Sequence, residues 1–483
     1  MKKFLLTLAV VLMSATMLFA GCGPKGLKNN PNTSDPVFSN GGMAVLKGDY
    51  VYFVNGFNSF DGLTKDVDNV WGKQVISSIY RTKVNNLNKI EHDENGFLKN
   101  AEVVVPQIVG TENASFYIFG NYIYYATPNM QNDKNGNLLN ARSNLCRVNI
   151  NGTDNKVLYT TEATLTLSNW SMYNLDGTIY MLIYDNNKIV SINASDAKAA
   201  VTLVSTATST AFINNETYNH ASSTEHKTIN GVNNYIYYTR DITTDDNENG
   251  KKGNILARVK INGGKEEIVC ADGINTYTIN TAKNGCIYYT KTNAVSSNTT
   301  FCKYKLTENR TFNQSNETEI SYVTYSKTFV LNANNENYVG SDVACVDGNN
   351  IVLVRNVGGE PQKTTVYASS SSITAINVYG DLLFFLEDSK LNYVNVRNGE
   401  NQTPITIETN GKTLKTDVTT FFDFDGRNAY YYASYEAADG TTHYYLNRTD
   451  LHASEPTSEF IGVFAFDHTP KKPESGSEEL WIK

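Results

Sequence analysis

One phrase returns along this chain and limits what it can fold into: a turn pair followed by alternating tyrosines and aliphatics. It reads Gly48-Asp49-Tyr50-Val51-Tyr52-Phe53 and Gly120-Asn121-Tyr122-Ile123-Tyr124-Tyr125. It returns as Asp176-Gly177-Thr178-Ile179-Tyr180-Met181, Asn233-Asn234-Tyr235-Ile236-Tyr237-Tyr238 and Asn284-Gly285-Cys286-Ile287-Tyr288-Tyr289. Looser copies begin at Gly348, Gly380 and Asp425. Asn and Gly supply the backbone freedom of a tight turn, and the run that follows is rich in strand formers. Successive side chains of a strand point to opposite faces. Tyr122 and Tyr124 therefore share one face, while Ile123 and Tyr125 share the other. A strand that is aromatic on both sides needs cover on both sides.

A second phrase follows most copies. Examples are Ile79-Tyr80-Arg81-Thr82-Lys83-Val84, Leu145-Cys146-Arg147-Val148-Asn149-Ile150 and Leu256-Ala257-Arg258-Val259-Lys260-Ile261. Phe301-Cys302-Lys303-Tyr304 is close, and Leu391-Asn392-Tyr393-Val394 and Leu446-Asn447-Arg448-Thr449 are looser. A strand–turn–strand unit repeated at this spacing predicts an all-β β-propeller. Seven or eight four-stranded blades fit, with eight the better match. The interval from Ile351 to Leu383, only 32 residues, points to one truncated or miscounted blade.

Composition narrows the function. The formal charge is −8 and no Lys/Arg stripe interrupts it, which argues against nucleic acid as a partner. At the N-terminus, Lys2 and Lys3 precede an apolar run that ends in small residues, the pattern of an export signal. Leu18-Phe19-Ala20-Gly21-Cys22 resembles the bacterial lipoprotein signal, in which the cysteine becomes the first mature residue and carries the lipid. The expected organisation is a signal peptide at 1–21, a flexible tether at 22–39, a propeller at 40–467 and a disordered tail at 468–483. The remaining cysteines, Cys146, Cys270, Cys286, Cys302 and Cys345, are odd in number and lack a Cys-x-x-Cys pair. They are expected in the core rather than in disulfides or on zinc.

The turn, the Tyr-Ile-Tyr-Tyr run and the aliphatic-x-Arg-aliphatic strand resemble a bacterial domain similar to the β-propeller of low-density-lipoprotein-receptor-related proteins. The resemblance covers roughly residues 40–467. It implies a lipoprotein of a Gram-positive bacterium on the outer face of the cytoplasmic membrane, and it supplies no catalytic residues.

Candidate sites are few. The recurrent Arg81, Arg147, Arg258 and Lys303 are expected to stack on aromatics between blades or to pair with a turn Asp. Glu91, Asp93, Asn95 and Glu102 approach the oxygen spacing of a calcium loop, but strands flank them rather than helices. Trp71 and Trp170 are candidate ligand-binding aromatics, and the insertions 54–78 and 307–346 are candidate functional loops. No His-Glu-x-x-His, Gly-x-Ser-x-Gly or phosphate loop is present. The expected function is a monomeric, lipid-anchored module that binds or scaffolds a protein or glycan at the cell surface. No cofactor is expected. The alternatives are a propeller lyase or hydrolase acting on glycans, and a purely structural envelope lipoprotein.

Overall fold

The computed structural model describes residues 26–461 apart from 56–69, 72–73, 76–77, 88–90, 92–98, 108, 110–114, 130–141, 164–168, 176, 212–234, 244–252, 272, 284–285, 306–313, 321–327, 332–342, 358–359, 410–420, 423–425 and 437–441. Eight antiparallel sheets follow one another in chain order, seven of four strands and the first of five. This is the expected all-β propeller. Helix among the described residues is limited to one turn, α1 (Val84–Leu87), and a 3-10 turn at Gln314–Asn316.

Blade 1 contains β1 (Val37–Phe38), β2 (Ala44–Lys47), β3 (Tyr50–Val54), β6 (Ile79–Lys83) and β7 (Glu102–Val105). Its insertion carries a ribbon of β4 (Val70–Trp71) and β5 (Gln74–Val75). Blade 2 runs from the innermost β8 (Phe116–Phe119) through β9 (Tyr122–Pro128) and β10 (Ser143–Asn149) to β11 (Lys156–Thr160). Blades 3, 4 and 5 comprise β12–β15 (170–204), β16–β19 (207–270) and β20–β23 (275–319). Blades 6, 7 and 8 comprise β24–β27 (328–368), β28–β31 (373–406) and β32–β35 (421–460).

The tyrosine alternation works as the sequence requires. Tyr124 packs toward blade 3 with Met172 and Met181, while Tyr125 packs toward blade 1 in the cluster of Tyr52 and Val54. In blade 4, Tyr235 and Tyr237 meet Ile287 and Tyr289 of blade 5, and Ile236 and Tyr238 meet Leu182 of blade 3. A buried hydroxyl needs a partner. Tyr238 donates to Glu266 at 2.6 Å, and Tyr431 donates to Ser458 at 2.9 Å. Burial pushes the Tyr52 and Tyr124 hydroxyls up to about 12, so both stay protonated at neutral pH. The five cysteines within the propeller are buried thiols rather than disulfides. Burial raises Cys146 and Cys286 to about 12 and Cys302 to about 11, which suits core packing and not nucleophilic chemistry.

Two blades depart from the register that the sequence suggests. In blade 3 the first hairpin is longer, so Tyr180, not Thr178, holds the place of Tyr122. The Ala194 N–H bonds to the Ile179 carbonyl as the Ile150 N–H bonds to that of Asn121. In blade 6 the Gly348–Asn349 turn joins β25 (Val343–Asp347) to β26 (Asn350–Val357), the second and third strands of the sheet. β25 packs on β28 (Ile373–Tyr379), the innermost strand of blade 7. Blade 6 therefore gains β24 (Thr328–Val330) inside and lacks the usual outer strand. The blade 7 loop covers that edge, where the Asn401 and Gln402 N–H groups donate to Thr365 and Val366 carbonyls at 3.4 and 2.7 Å. The short interval after Ile351 has this cause.

The N-terminal segment corrects another expectation. Residues 26–38, read as part of a flexible tether, lie bonded across blades 1 and 2. The Leu27 N–H donates to the Asn151 carbonyl at 3.0 Å, and Thr33 Oγ1 donates to Asn121 Oδ1 at 2.8 Å. The fully buried Arg81 donates to the Lys28 carbonyl and to Asn30 Oδ1, both at 2.6 Å. Lys47 Nζ, also buried, donates to the Thr33 and Asp35 carbonyls at 3.1 and 3.0 Å. Polar composition made this strap look unstructured, but two buried cations need its carbonyls.

Among the described residues no blade takes strands from both ends of the chain: blade 1 is built from residues 37–105 and blade 8 from residues 421–460. Tyr432 joins them by donating to the Met43 and Val54 carbonyls at 3.0 and 2.7 Å. Tyr430, Leu446 and Ile461 share the blade 1 core.

Tyr432→Phe strips that bond from the closing junction and should lower unfolding free energy by about 1–3 kcal/mol in denaturant titration. An unchanged midpoint would place closure elsewhere. Arg81→Ala should free the strap, so that limited trypsin digestion at Lys28 becomes roughly tenfold faster while the core stays resistant. Equal rates in wild type and variant would show that Arg81 does not hold the strap.

Candidate functional site

The expected site residues do not come together. Cys22 lies outside the described residues, as do Asp93 and Asn95 and most of the insertions 54–78 and 307–346. Trp71 pairs with Gln74 in the β4–β5 ribbon, and its side chain lies outside the description. Trp170 is a correction. It is 3 % exposed, on the innermost strand of blade 3, and meets the Tyr117 ring edge-to-face at 5.0 Å. A ligand cannot reach its face, because aromatic cover from blade 2 already occupies it. The calcium reading loses one oxygen donor in the same way. Glu102 lies on β7 opposite Arg81 and accepts from its guanidinium at 2.9 Å, while Glu91 lies 3.8 Å from Lys99. No cluster of three or more His, Cys, Asp or Glu side chains suited to a metal occurs among the described residues.

The recurrent arginines do stack on tyrosines, but within their own blade. Arg81, Arg147 and Arg258 lie 4.7, 4.4 and 4.1 Å from the ring centres of Tyr50, Tyr122 and Tyr235. Register dictates this, because each arginine faces the second tyrosine of its anchor and lies diagonal to the first. Where this position has an acidic partner, it is an outer-strand glutamate rather than a turn aspartate: Arg81 faces Glu102, Arg258 faces Glu267 and Arg448 faces Glu459, whereas Arg147 faces Lys156. The sequence phrases stop at the third strand and so omit these glutamates.

The same third-strand position also bridges blades. Arg147 donates to the Ala194 and Ser195 carbonyls of blade 3 at 3.1 and 3.3 Å. Ser191, its counterpart in blade 3, donates to the Ile261 carbonyl of blade 4 at 2.6 Å. Arg448 donates to the Leu87 carbonyl of blade 1. Arg81 bonds instead to the strap, which lies between it and blade 2.

Blade 7 breaks the rule, and a cavity of about 430 Å3 lies at its junction with blade 8. The position of Arg147 is held by Tyr393, and that of the stacking Tyr122 by Leu382. Tyr393 cannot reach across, because its ring stacks on Phe384 of its own blade at 5.3 Å. The walls include Tyr379, Asn395, Asn398, Gln402, Leu451 and His452. The blade 7 loop is held in place before any ligand arrives. Gln402 Nε2 donates to the Asn398 and Glu400 carbonyls at 3.2 and 3.3 Å. On the outer side, the Glu408 and Ser458 N–H groups donate across the junction to the Pro456 and Glu408 carbonyls at 2.8 and 2.9 Å. Burial raises the Tyr393 hydroxyl above its ordinary value, so it stays protonated.

Among the described residues this lining offers aromatic side chains, amides and one imidazole, with no Asp, Glu, Lys, Arg or Cys. A preformed cleft of this size with a few polar groups is built to hold a small group or segment. No pair of carboxylates that could work as acid and base occurs among the described lining residues. Sequence reading missed it because its signal is a loss. In Leu391-Asn392-Tyr393-Val394, a tyrosine stands where four other copies carry arginine.

No family model and no curated protein matches the chain. Among solved structures it is similar to a prolyl endopeptidase at 14 % identity and TM-score 0.42, over 74 % of this chain and 48 % of that one. It is similar to the β-propeller domain of the Trilobed protease from Pyrococcus furiosus at 9 % identity and TM-score 0.35, over 79 % and 97 %. An acylaminoacyl peptidase is similar at 10 % identity and TM-score 0.36, over 84 % and 59 %. The chain thus spans about half the length of the prolyl endopeptidase it resembles. At these identities the likeness is one of propeller fold alone.

Proposed function

We propose that the chain is an extracytoplasmic binding module, held at the outer face of the cytoplasmic membrane by a lipid on Cys22, with its ligand seated between blades 7 and 8. One observation carries the binding role. The repeat places a bridging side chain at several of its junctions, and blade 7 has exchanged that bridge for a preformed cavity walled by tyrosine, amide and imidazole groups. A glycan lyase or hydrolase would need paired acid and base groups, and the described lining residues include none. The strap gives the anchor a geometric consequence. Leu27 is bonded to blade 2, so a lipid on Cys22 would lie within about 17 Å of that face, five residues at full extension.

Two measurements test the reading. In detergent phase separation the wild type should enter the detergent phase and Cys22→Ser the aqueous phase; a variant that stays with the membrane removes the anchor. A photoreactive side chain at His452, which borders the cavity, should give a discrete adduct on intact cells. The same group at Asn186, on the far face, should give none. Equal labelling at both positions argues against a site in this cavity.

A further inference from the structure

The structure contains an occupied version of the blade 7–8 groove. Four of the residues that hold the strap are Lys47 and Arg81 on blade 1, and Asn121 and Asn151 on blade 2. Each has a counterpart at the junction of blades 7 and 8. Tyr379 faces Leu382 as Lys47 faces Tyr50, and Tyr393 faces Phe384 as Arg81 faces Tyr52. The Leu451 N–H bonds to the Arg427 carbonyl as the Ile150 N–H bonds to that of Asn121. Arg427 and His452 therefore stand where Asn121 and Asn151 stand. Tyr379, Tyr393 and His452 line the cavity, as does Gly426 beside Arg427.

From this correspondence we infer that the cavity between blades 7 and 8 receives an extended, proline-containing polypeptide segment of a partner protein, lying as the strap lies between blades 1 and 2. The inference rests on the reading of this cavity as a binding site and names its ligand class. The occupied groove shows that an interblade slot of this geometry accepts main chain, with carbonyls taken by the inner- and third-strand side chains and an N–H taken by the next blade's turn. The exchanged side chains describe what differs. Lys47 and Arg81 clamp carbonyls by charge, whereas Tyr379 offers aromatic surface and a hydroxyl, and Tyr393, itself buried against Phe384, borders the cavity. Aromatic-lined grooves favour proline, whose ring packs on the aromatic face and whose extended conformation costs little entropy to fix. The strap itself carries Pro31 and Pro36 around the residues that bind Lys47. The side-chain amides of Asn395 and Asn398 lie along the same wall, where they can meet further carbonyls.

The test uses the full chain and a display library of random peptides of about ten residues with one fixed central proline. Selected peptides should bind wild type and lose roughly tenfold or more in affinity to Tyr393→Arg, which restores the bridge found in blade 2. Leu382→Tyr, which restores the stacking tyrosine at a partly exposed site, guards against a misfolded first variant and should weaken binding in the same sense. Thermal melting checks that both variants fold. No enrichment, or peptides that bind both variants as well as wild type, overturns the inference. Oligosaccharides that bind in a Tyr393-dependent way while peptides do not also overturn it, and leave the binding-module reading standing. If neither class binds, both readings of the cavity fall.

Discussion

Each blade of this protein buries both of its faces, and most of the architecture follows from that requirement. A sheet with one wet face alternates apolar and polar residues, whereas a blade between two others cannot. Tyrosine meets the demand by filling the interblade space with a large ring and carrying a hydroxyl that finds a partner at the edge of the core. Tyr124 and Tyr125, adjacent in sequence, serve opposite neighbours. The arginines that lie over Tyr50, Tyr122 and Tyr235 extend the same logic, since guanidinium planes fill space against rings and keep donors free for other groups, which in Arg147 reach the next blade's carbonyls.

Departures from the repeat concentrate where something else is being held. At the first junction the slot for a bridging arginine contains the strap. At the seventh the bridge is gone and a cavity remains. Blade 6 shifts by one strand, and the loop that covers its open edge also supplies Gln402 to the cavity wall. The candidate site is thus assembled from two irregularities of one repeat, and its rigidity comes from regular blades on either side.

Much of the fold was legible because local signals agreed. The turn pairs, the alternation in Tyr122–Tyr125 and the cysteines at Cys146 and Cys302 all reported strands with two buried faces. The strap was not legible, since its order depends on Lys47 and Arg81, which are distant in sequence and buried only after folding. Trp170 looked available because no local pattern reveals that Tyr117 covers it. The glutamates opposite Arg81 and Arg258 escaped notice because irregular loops set the offset between third and fourth strands. The cavity was written as an exchange of arginine for Tyr393, which acquires meaning only once the bridging role of that position is known.

Closure by Tyr432 has a temporal side. Its two acceptors, Met43 and Val54, precede it by 389 and 378 residues. A chain that emerges from its N-terminus makes blade 1 first and the strand that covers it last. During that interval the apolar face formed by Ala44, Leu46, Val51 and Phe53 has no neighbour on the blade 8 side. Ring completion is therefore a long-range step of assembly, and the growing chain keeps this face open to aggregation until blade 8 is made.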